Sequence, residues 1–553
     1  MAGQSSRRIL FKNGASLTEF TYANLPTSSK ALFDGMCGSV NKLSQCTEIT
    51  PGARSAMSGT ALVNYLRGDK SQEMTAQNAD ARLFRARSGP LGDIVGGAPV
   101  YVGKPPMAFG DSYKEYAERN SSRQGVLYVA ANDGMLHALK VSEDNTGGQE
   151  LWAYVPTEVM KDMYVLADNR YASRHRFYVD GAPVVADVFD GAKWRTILVG
   201  GLGKGGRSYY ALDISDPLNP LTLWEFKDDD LGYTYGNPVI AKNKAGKWIV
   251  AFTSGYNNVG PGTGKGYLYV LDAITGQLVD ASSKIATSAG DTGTPSNLGR
   301  LNAWIDDSST NVALRFYAGD MLGNVWRFDF DDNYGAPGKE AVLLAQVGSN
   351  QPITTKPVLS EIVEGAYRYP VVTVATGRYL GYSDIGDTAV QSVYTFKDPL
   401  DSSTLGALRS NSGMVKQTIN SARNGLDNPK DVTWSSQTGW YVDLNLTQGE
   451  RVNVDVEQQL NQLIVASNIP SPTACNTGGT AWLYYLDVGS GKPLLSYSFG
   501  TMIAGITTIQ TSTGKLVTLV QDVEGKNTPR AGAEPSNLPP GTLRRTSWRE
   551  LAN

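Results

Sequence analysis

The stretch Trp194–Pro217, WRTILVGGLGKGGRSYYALDISDP, decides the fold. Thr196–Val199 is a short apolar run of the kind that fills a strand buried on both faces. Gly200–Gly206 follows with five glycines in seven residues, so the backbone must turn sharply there. Ser208–Ile214 reads as a second strand, closed by Asp213 and the Asp216-Pro217 turn. Strand, glycine turn and strand ending in Leu-Asp make half of a four-stranded blade.

The phrase recurs. Val126–Leu139 (VLYVAANDGMLHAL) turns at Asn132-Asp133-Gly134 and leads into ELWAYVP. Trp248–Asp272, Leu314–Asp329, Pro370–Asp398 and Leu463–Asp487 repeat it with loops of different length, and Ile506–Val520 is a weaker echo. Seven units at irregular spacing fit radial blades with insertions, where equal spacing would point to a solenoid. A ring of small sheets also leaves few exposed edges. The expected fold is all-β: an irregular, quinoprotein-like β-propeller of about seven blades over residues 89–530. A small mixed α/β connector precedes it (1–88), and a Pro/Gly-rich, then basic, tail (531–553) packs back on it.

The connector should hold a hairpin (Arg8–Phe11, Ser16–Tyr22) turning at Asn13-Gly14. A short helix over Pro26–Phe33, an amphipathic helix over Met57–Gly68 and a polar helix over Glu73–Arg87 should follow.

Composition narrows the function. With 553 residues, 60 glycines and 19% charged residues, the chain is β-rich and globular, too long for one ordinary core. A net charge of −3 gives no basic field for nucleic acid or anionic membranes. No apolar run approaches the ~20 residues that span a bilayer. The N-terminus MAGQSSRRILF lacks a signal-peptide core, which fits a cytosolic protein or a piece of a longer precursor. Cys37 and Cys46 sit in one Gly/Ser-containing loop, a spacing that permits either a local disulfide or two free thiols, and Cys475 is left over. Two histidines, His137 and His175, and no CxxC give little to build a triad or a zinc site.

LDAITG (271–276) and LDVGSG (486–491) resemble the strand-end turns of quinoprotein-dehydrogenase propellers. A fuller set resembles the C-terminal propeller of the PilY/PilC family of type IV pilus tip-associated adhesins. It comprises LGDIVGGAPVYVG, LYVAANDGMLHAL, ELWAYVP, YVDGAPVVADVFDG, ILVGGLGKGGRSYYALDISDP, LWEFKDDDLGYTYGNPVI, FYAGDMLGNVWRFD, ATGRYLG, GWYVDL and the final RRTSWREL. These run in order from about residue 90 to the C-terminus.

The resemblance implies a non-enzymatic protein of pilus assembly, retraction, twitching motility and surface attachment. Its partners would be minor pilins and host-cell or abiotic surfaces. Its location would be the cell surface, at the pilus tip or outer membrane after secretion through the periplasm. The large N-terminal half and signal peptide of many members are missing, so the resemblance points to a truncated piece. The alternative is a periplasmic quinoprotein (pyrroloquinoline quinone) dehydrogenase, against which stands the lack of a vicinal cysteine pair.

The family's calcium loop, carried over, falls on Asp306, Ser308, Thr310 and the carbonyl of Val312, with Leu314 at a fifth position that offers no side-chain oxygen. One formal charge replaces about three, so calcium is expected to bind weakly if at all, with the loop held by its own Ser/Thr hydrogen bonds. Asp228-Asp229-Asp230 and the run Asp329, Asp331, Asp332, Asn333 read as turn caps, and Asp187 as a buried hydrogen-bond anchor. GGLGKGG lacks Walker spacing and precedes a strand, which argues against a phosphate loop. Insertions near 255–266, 280–312, 376–392 and 400–440 are the expected recognition loops, with Tyr256, Asn257 and Asn258 as contacts.

Overall fold

In the first six sheets the repeated phrase supplies the second and third strands, and flanking segments supply the first and fourth; in the seventh the phrase supplies the first two of three strands. A computed structural model describes residues 7–75, 77, 81–330, 341–471, 478–534 and 543–545. Seven sheets follow one another along the chain. The second holds Val184–Phe189, Trp194–Gly201, Tyr209–Asp213 and Leu221–Phe226, hydrogen-bonded in chain order and antiparallel. The third, fourth and sixth repeat that plan. First strands of successive sheets lie against one another and line the axis, as in a propeller.

Three sheets depart from four strands. In the first, Ile9–Asn13 adds in parallel outside Glu150–Val155 and carries Ser16–Glu19 beyond it. In the fifth, Met414–Gln417 adds in parallel to Gly439–Leu444, and Leu543–Arg545 pairs antiparallel with Ser360–Ile362 on the first strand. The seventh has only Ile503–Gln510, Leu516–Asp522 and Asn527–Ala531.

Alternate strand residues face neighbouring sheets, so the core is a series of wedges. Separate buried clusters seal sheets two to three, three to four, four to five, five to six and six to seven. The first cluster joins sheets one and two and takes in the connector, through Phe20, Phe33, Leu62, Tyr65 and Phe84. Among the described residues no buried cluster joins the seventh sheet to the first.

Tryptophans on fourth strands dock on the next sheet. Trp152, Trp224 and Trp440 donate their indole N–H to the carbonyls of Pro217, Ala273 and Val488, at 2.8, 3.0 and 2.9 Å. The acceptors lie in LDISDP, LDAITG and LDVGSG. Gly276 and Gly491 close two of these turns at positive φ, and a Cβ on either would overlap the docked ring.

The connector differs from expectation in its third helix. Helices form at Thr27–Phe33 and Gly59–Leu66, the latter capped by the Ser58 hydroxyl accepting from Ala61 N–H. The described residues of 73–87 do not form one. Glu73 instead bridges to Phe84 and is ion-paired with Arg87 at 2.9 Å, so buried pairing outweighs a weak polar helical pattern. Helices at Pro51–Ala56 and Asp111–Arg119 were not legible, the second lying inside the β-rich region.

Candidate functional site

Because the strands alternate in direction, turns from second to third strands emerge on the same face as the crossovers into the next sheet. The glycine-rich loops therefore share one face of the ring, where their backbones form a continuous belt. Asn132 N–H donates to Asp93 O (2.9 Å), and Tyr178 N–H to the Asn132 side chain (2.9 Å). Asp180 N–H donates to Leu202 O, Thr234 to Gly206, Tyr233 to Tyr256, Gly299 to Gly319, Ile353 to Asp320, Gly377 to Pro352, Val452 to Thr376 and Asn468 to Arg451. Ile503 N–H ends the run on the Asn468 side chain at 2.8 Å. With Ser296 N–H donating to Gly264 O at 2.8 Å between the third sheet and the fourth, these bonds alternate within a sheet and across to the next.

The belt explains GGLGKGG. Gly203 has φ +56°, and a Cβ on Gly205 would collide with the Tyr178 backbone. The glycines let two chains touch where a side chain would part them.

Tyr256 and Asn258 are buried rather than offered as contacts. Tyr256 stacks on Tyr235 at 4.8 Å, and the Asn258 amide donates to the carbonyls of Asp230 and Lys265. Asn257 is exposed beside them. The expected recognition loops do not share a face: 255–266 and 376–390 lie on the belt face, and the long 398–438 connection leaves the opposite end of the fifth sheet. Loop 376–390 is pinned from below. Arg451, 2% exposed, donates to the carbonyls of Arg378, Asp384 and Asp387, and Asp384 accepts from Arg378, Leu380 and Gly381. Tyr382 projects from this loop 94% exposed.

At the axial mouth Arg300 pairs with Asp455 at 2.5 Å, from the entrance of the fourth sheet to that of the sixth. Asp455 also accepts from Lys356 N–H at 2.8 Å.

Asp228 and Asp230 accept from Lys284 Nζ at 2.8 Å each, so an ammonium sits between the two carboxylates. Asp228 also caps Asp230 N–H at 2.8 Å. Asp187 accepts from the Tyr113 hydroxyl (2.6 Å) and Thr196 Oγ1 (2.5 Å), and burial raises its carboxyl above the ordinary range. Asp331, Asp332 and Asn333 lie outside the described residues, as does Cys475.

Loop 306–312 is on the face opposite the belt. Asp306 accepts from Trp304 Nε1 at 2.6 Å, Thr310 Oγ1 donates to Asp307 O at 3.0 Å, and Asp307 caps Ser309. Val312 bridges to Lys242, and Leu314 packs on the cluster between sheets four and five. Asp306 is the one carboxylate of the set Asp306, Ser308, Thr310 and Val312. Among the described residues no group of three or more His, Cys, Asp or Glu is placed to hold a metal ion.

Cys37 and Cys46 are joined by a disulfide, Cα to Cα 5.2 Å. Beside it, Gln45 donates to the carbonyls of Leu83 and Ala167, and Ser44 N–H to Asp168, which fixes the loop to the crossover into the second sheet.

Sequence reasoning missed one cluster. His137 is fully buried, with Nδ1 2.8 Å from Glu150 and Nε2 3.1 Å from Asp133. Arg7 makes a two-pronged pair with Glu150, at 2.6 and 2.8 Å. Burial alone would lower the imidazole's pKa, but the two carboxylates carry it up to about 9. Glu150, which burial would raise, is held down to about 2 by Arg7 and His137. Arg7 lies 143 residues from Glu150, so no local signal marked the pair.

The architecture is that of an irregular seven-sheet propeller whose loops are bonded into a belt on one face. The family model described as the PilY1 beta-propeller domain matches residues 91–426, and the chain belongs to that family. A type IV pilus biogenesis factor PilY1 homolog of Xylella fastidiosa (strain Temecula1 / ATCC 700964) is 31% identical over 486 residues, covering 80% of this chain and 32% of the relative. Type IV pilus biogenesis factor PilY1 of Pseudomonas aeruginosa (strain PAK) is 32% identical over 501 residues, covering 78% and 40%. The chain thus spans a third to two-fifths of the length of these relatives. The crystal structure of the Pseudomonas aeruginosa PilY1 C-terminal domain matches with a TM-score of 0.61 and 25% identity, over 79% of this chain and 99% of that domain.

Proposed function

We propose that this chain is the propeller portion of a non-enzymatic type IV pilus-associated protein. It acts at the pilus tip with minor pilins in assembly and retraction, and so serves twitching motility and attachment to host or abiotic surfaces. Family membership carries the reading, and the belt supports it. A ring held by hydrogen bonds at six consecutive junctions, four of them backbone to backbone and two through the Asn132 and Asn468 side chains, is a rigid frame for presenting loops, Tyr382 among them. The axial mouth, where a dehydrogenase propeller would seat its quinone, is crossed here by Arg300–Asp455 and flanked by the Tyr235–Tyr256 stack, an arrangement that favours a scaffold.

A strain lacking the protein should lose surface pili and twitching, and the full-length gene should restore both. Normal piliation in the deletion strain would overturn the reading. For loop 306–312 we propose a turn held by its own hydrogen bonds, with calcium affinity too weak to matter. Calorimetric heat on titrating the chain with millimolar calcium, abolished by Asp306→Ala, would overturn that.

A further inference from the structure

The edge of a β-sheet is a row of unpaired donors and acceptors, and each of the seven sheets turns one such edge to the outer rim. Six are blunted. The first sheet ends in the four residues Ser16–Glu19, with a charge at the end, and the third in the three residues Lys284–Ala286. The second ends in a strand that holds Glu225 and a bulge between Thr222 and Trp224. Along the fourth, Leu405 N–H donates to Leu344 O and Gln346 N–H to Gly406 O, so a loop covers the edge. The fifth ends in Met414–Gln417, four residues with Lys416, and the seventh has Pro529 at the centre of Asn527–Ala531.

The sixth sheet is the exception. It ends in Pro493–Phe499, PLLSYSF, seven residues without a charge and with proline only at the first. The register tells which groups face outward. Asn468 exchanges both of its backbone bonds with Arg451, at 2.8 and 2.9 Å, so Ala481 opposite it bonds Phe499 on its other side. Alternation then aims Tyr497 inward and the N–H and C=O of Ser496 and Ser498 outward. No group among the described residues bonds them there.

A cation stands beside this edge. Arg530, on the last strand of the seventh sheet, lays its guanidinium over Tyr497 and Phe499, 5.4 and 5.2 Å from the ring centres. Its Nε is buried without an acceptor, and no carboxylate among the described residues pairs with it.

These features select the occupant. Open main-chain donors and acceptors are satisfied by another strand, and strand addition draws its affinity from main-chain hydrogen bonds, so a small contact suffices for a transient complex. A second copy pairing through the same edge would bring no carboxylate, since PLLSYSF has none, and would put two Arg530 guanidinium groups on one face of the joined sheet. An acidic strand from another protein fits both the edge and the cation.

We infer that the open outer edge of the sixth sheet accepts an acidic β-strand of a pilus subunit. This rests on the pilus reading above. Soluble domains of the minor pilins of the same bacterium, immobilised on a biosensor, are the probe. The wild-type chain should bind at least one. Ser496→Pro deletes an outward N–H and no bond inside the sheet, and should weaken that binding about tenfold or more, while Ser496→Ala leaves it unchanged. Arg530→Glu should weaken it about tenfold as well. In the wild-type complex, hydrogen exchange at the Ser496 and Ser498 amides should slow about tenfold or more. Intact binding by Ser496→Pro or Arg530→Glu, an equal loss in Ser496→Ala, or unchanged exchange at both amides would overturn the inference and leave the pilus reading standing. Failure of wild type to bind any minor pilin would overturn both. A wild-type dimer in sedimentation, lost in Ser496→Pro, would put a second copy on the edge and so overturn it. Matching melting curves establish that the variants are folded; should Ser496→Pro melt lower, amide exchange in the wild-type complex decides.

Discussion

The junction between sheets five and six and the far side of sheet seven show two ways to end a wedge. At the first, Trp440 lies fully buried with its indole on Val488 O and its ring against Gly491, over a cluster that includes Val442, Val465 and Tyr484. At the second, Ile509 and Leu519 face outward with no buried cluster beyond them among the described residues. Both surfaces are built from alternating β residues. The difference is the presence of a neighbouring sheet, and it teaches that a blade's burial belongs to the junction more than to the blade.

The sharpest way to break the comparison is Trp440→Ala. It removes a buried indole and its hydrogen bond, and should cost about 3–5 kcal/mol, read as a lower calorimetric melting temperature. A loss below about 1 kcal/mol would mean the junction is not sealed as described. Next comes Gly205→Ala in the belt. Its methyl meets backbone at Tyr178, which has no rotamer to yield, so a loss of about 1–3 kcal/mol is expected in denaturant unfolding.

The buried Arg7–Glu150–His137–Asp133 cluster makes a pH-dependent version of the same test. The folded His137 pKa, about 9, lies above the ordinary 6.5, so its contribution is complete below pH 6.5 and lost as pH rises through about 9. The folded Glu150 pKa, about 2, lies below 4.5, so its contribution is present above pH 4.5 and lost as pH falls through about 2. Melting temperature should therefore peak between pH 4.5 and 6.5, and His137→Gln should flatten the alkaline limb. The smallest effect belongs to the uncovered face: Leu519→Arg should change stability by less than about 0.5 kcal/mol, measured by denaturant midpoint.

Short-range patterns carried the fold. Six of the seven phrases occupy the middle two strands of one sheet, and Ile506–Val520 the first two of the seventh, because a buried β-strand and its turn are encoded within one short stretch of chain. LDAITG and LDVGSG were legible as strand ends, but not as docking turns, since Trp224 and Trp440 come from the preceding sheet, 49 and 48 residues upstream of their acceptors. Tyr256 and Asn258 looked like contacts because loop residues usually face solvent. Here neighbouring loops are bonded to one another, and that buries them.

By itself, then, the sequence determined the number of sheets, their order and the glycine turns, all consequences of local periodicity and turn chemistry, while the family came from the resemblance of its motifs. Only the tertiary structure decided that Ile9–Asn13 joins the first sheet in parallel, that Arg7 reaches Glu150, that the glycine loops knit into a belt, and that no described residue seals the far side of the seventh sheet. Those outcomes depend on which distant segments meet, and a pattern of alternating apolar residues says that a face wants covering without saying what covers it.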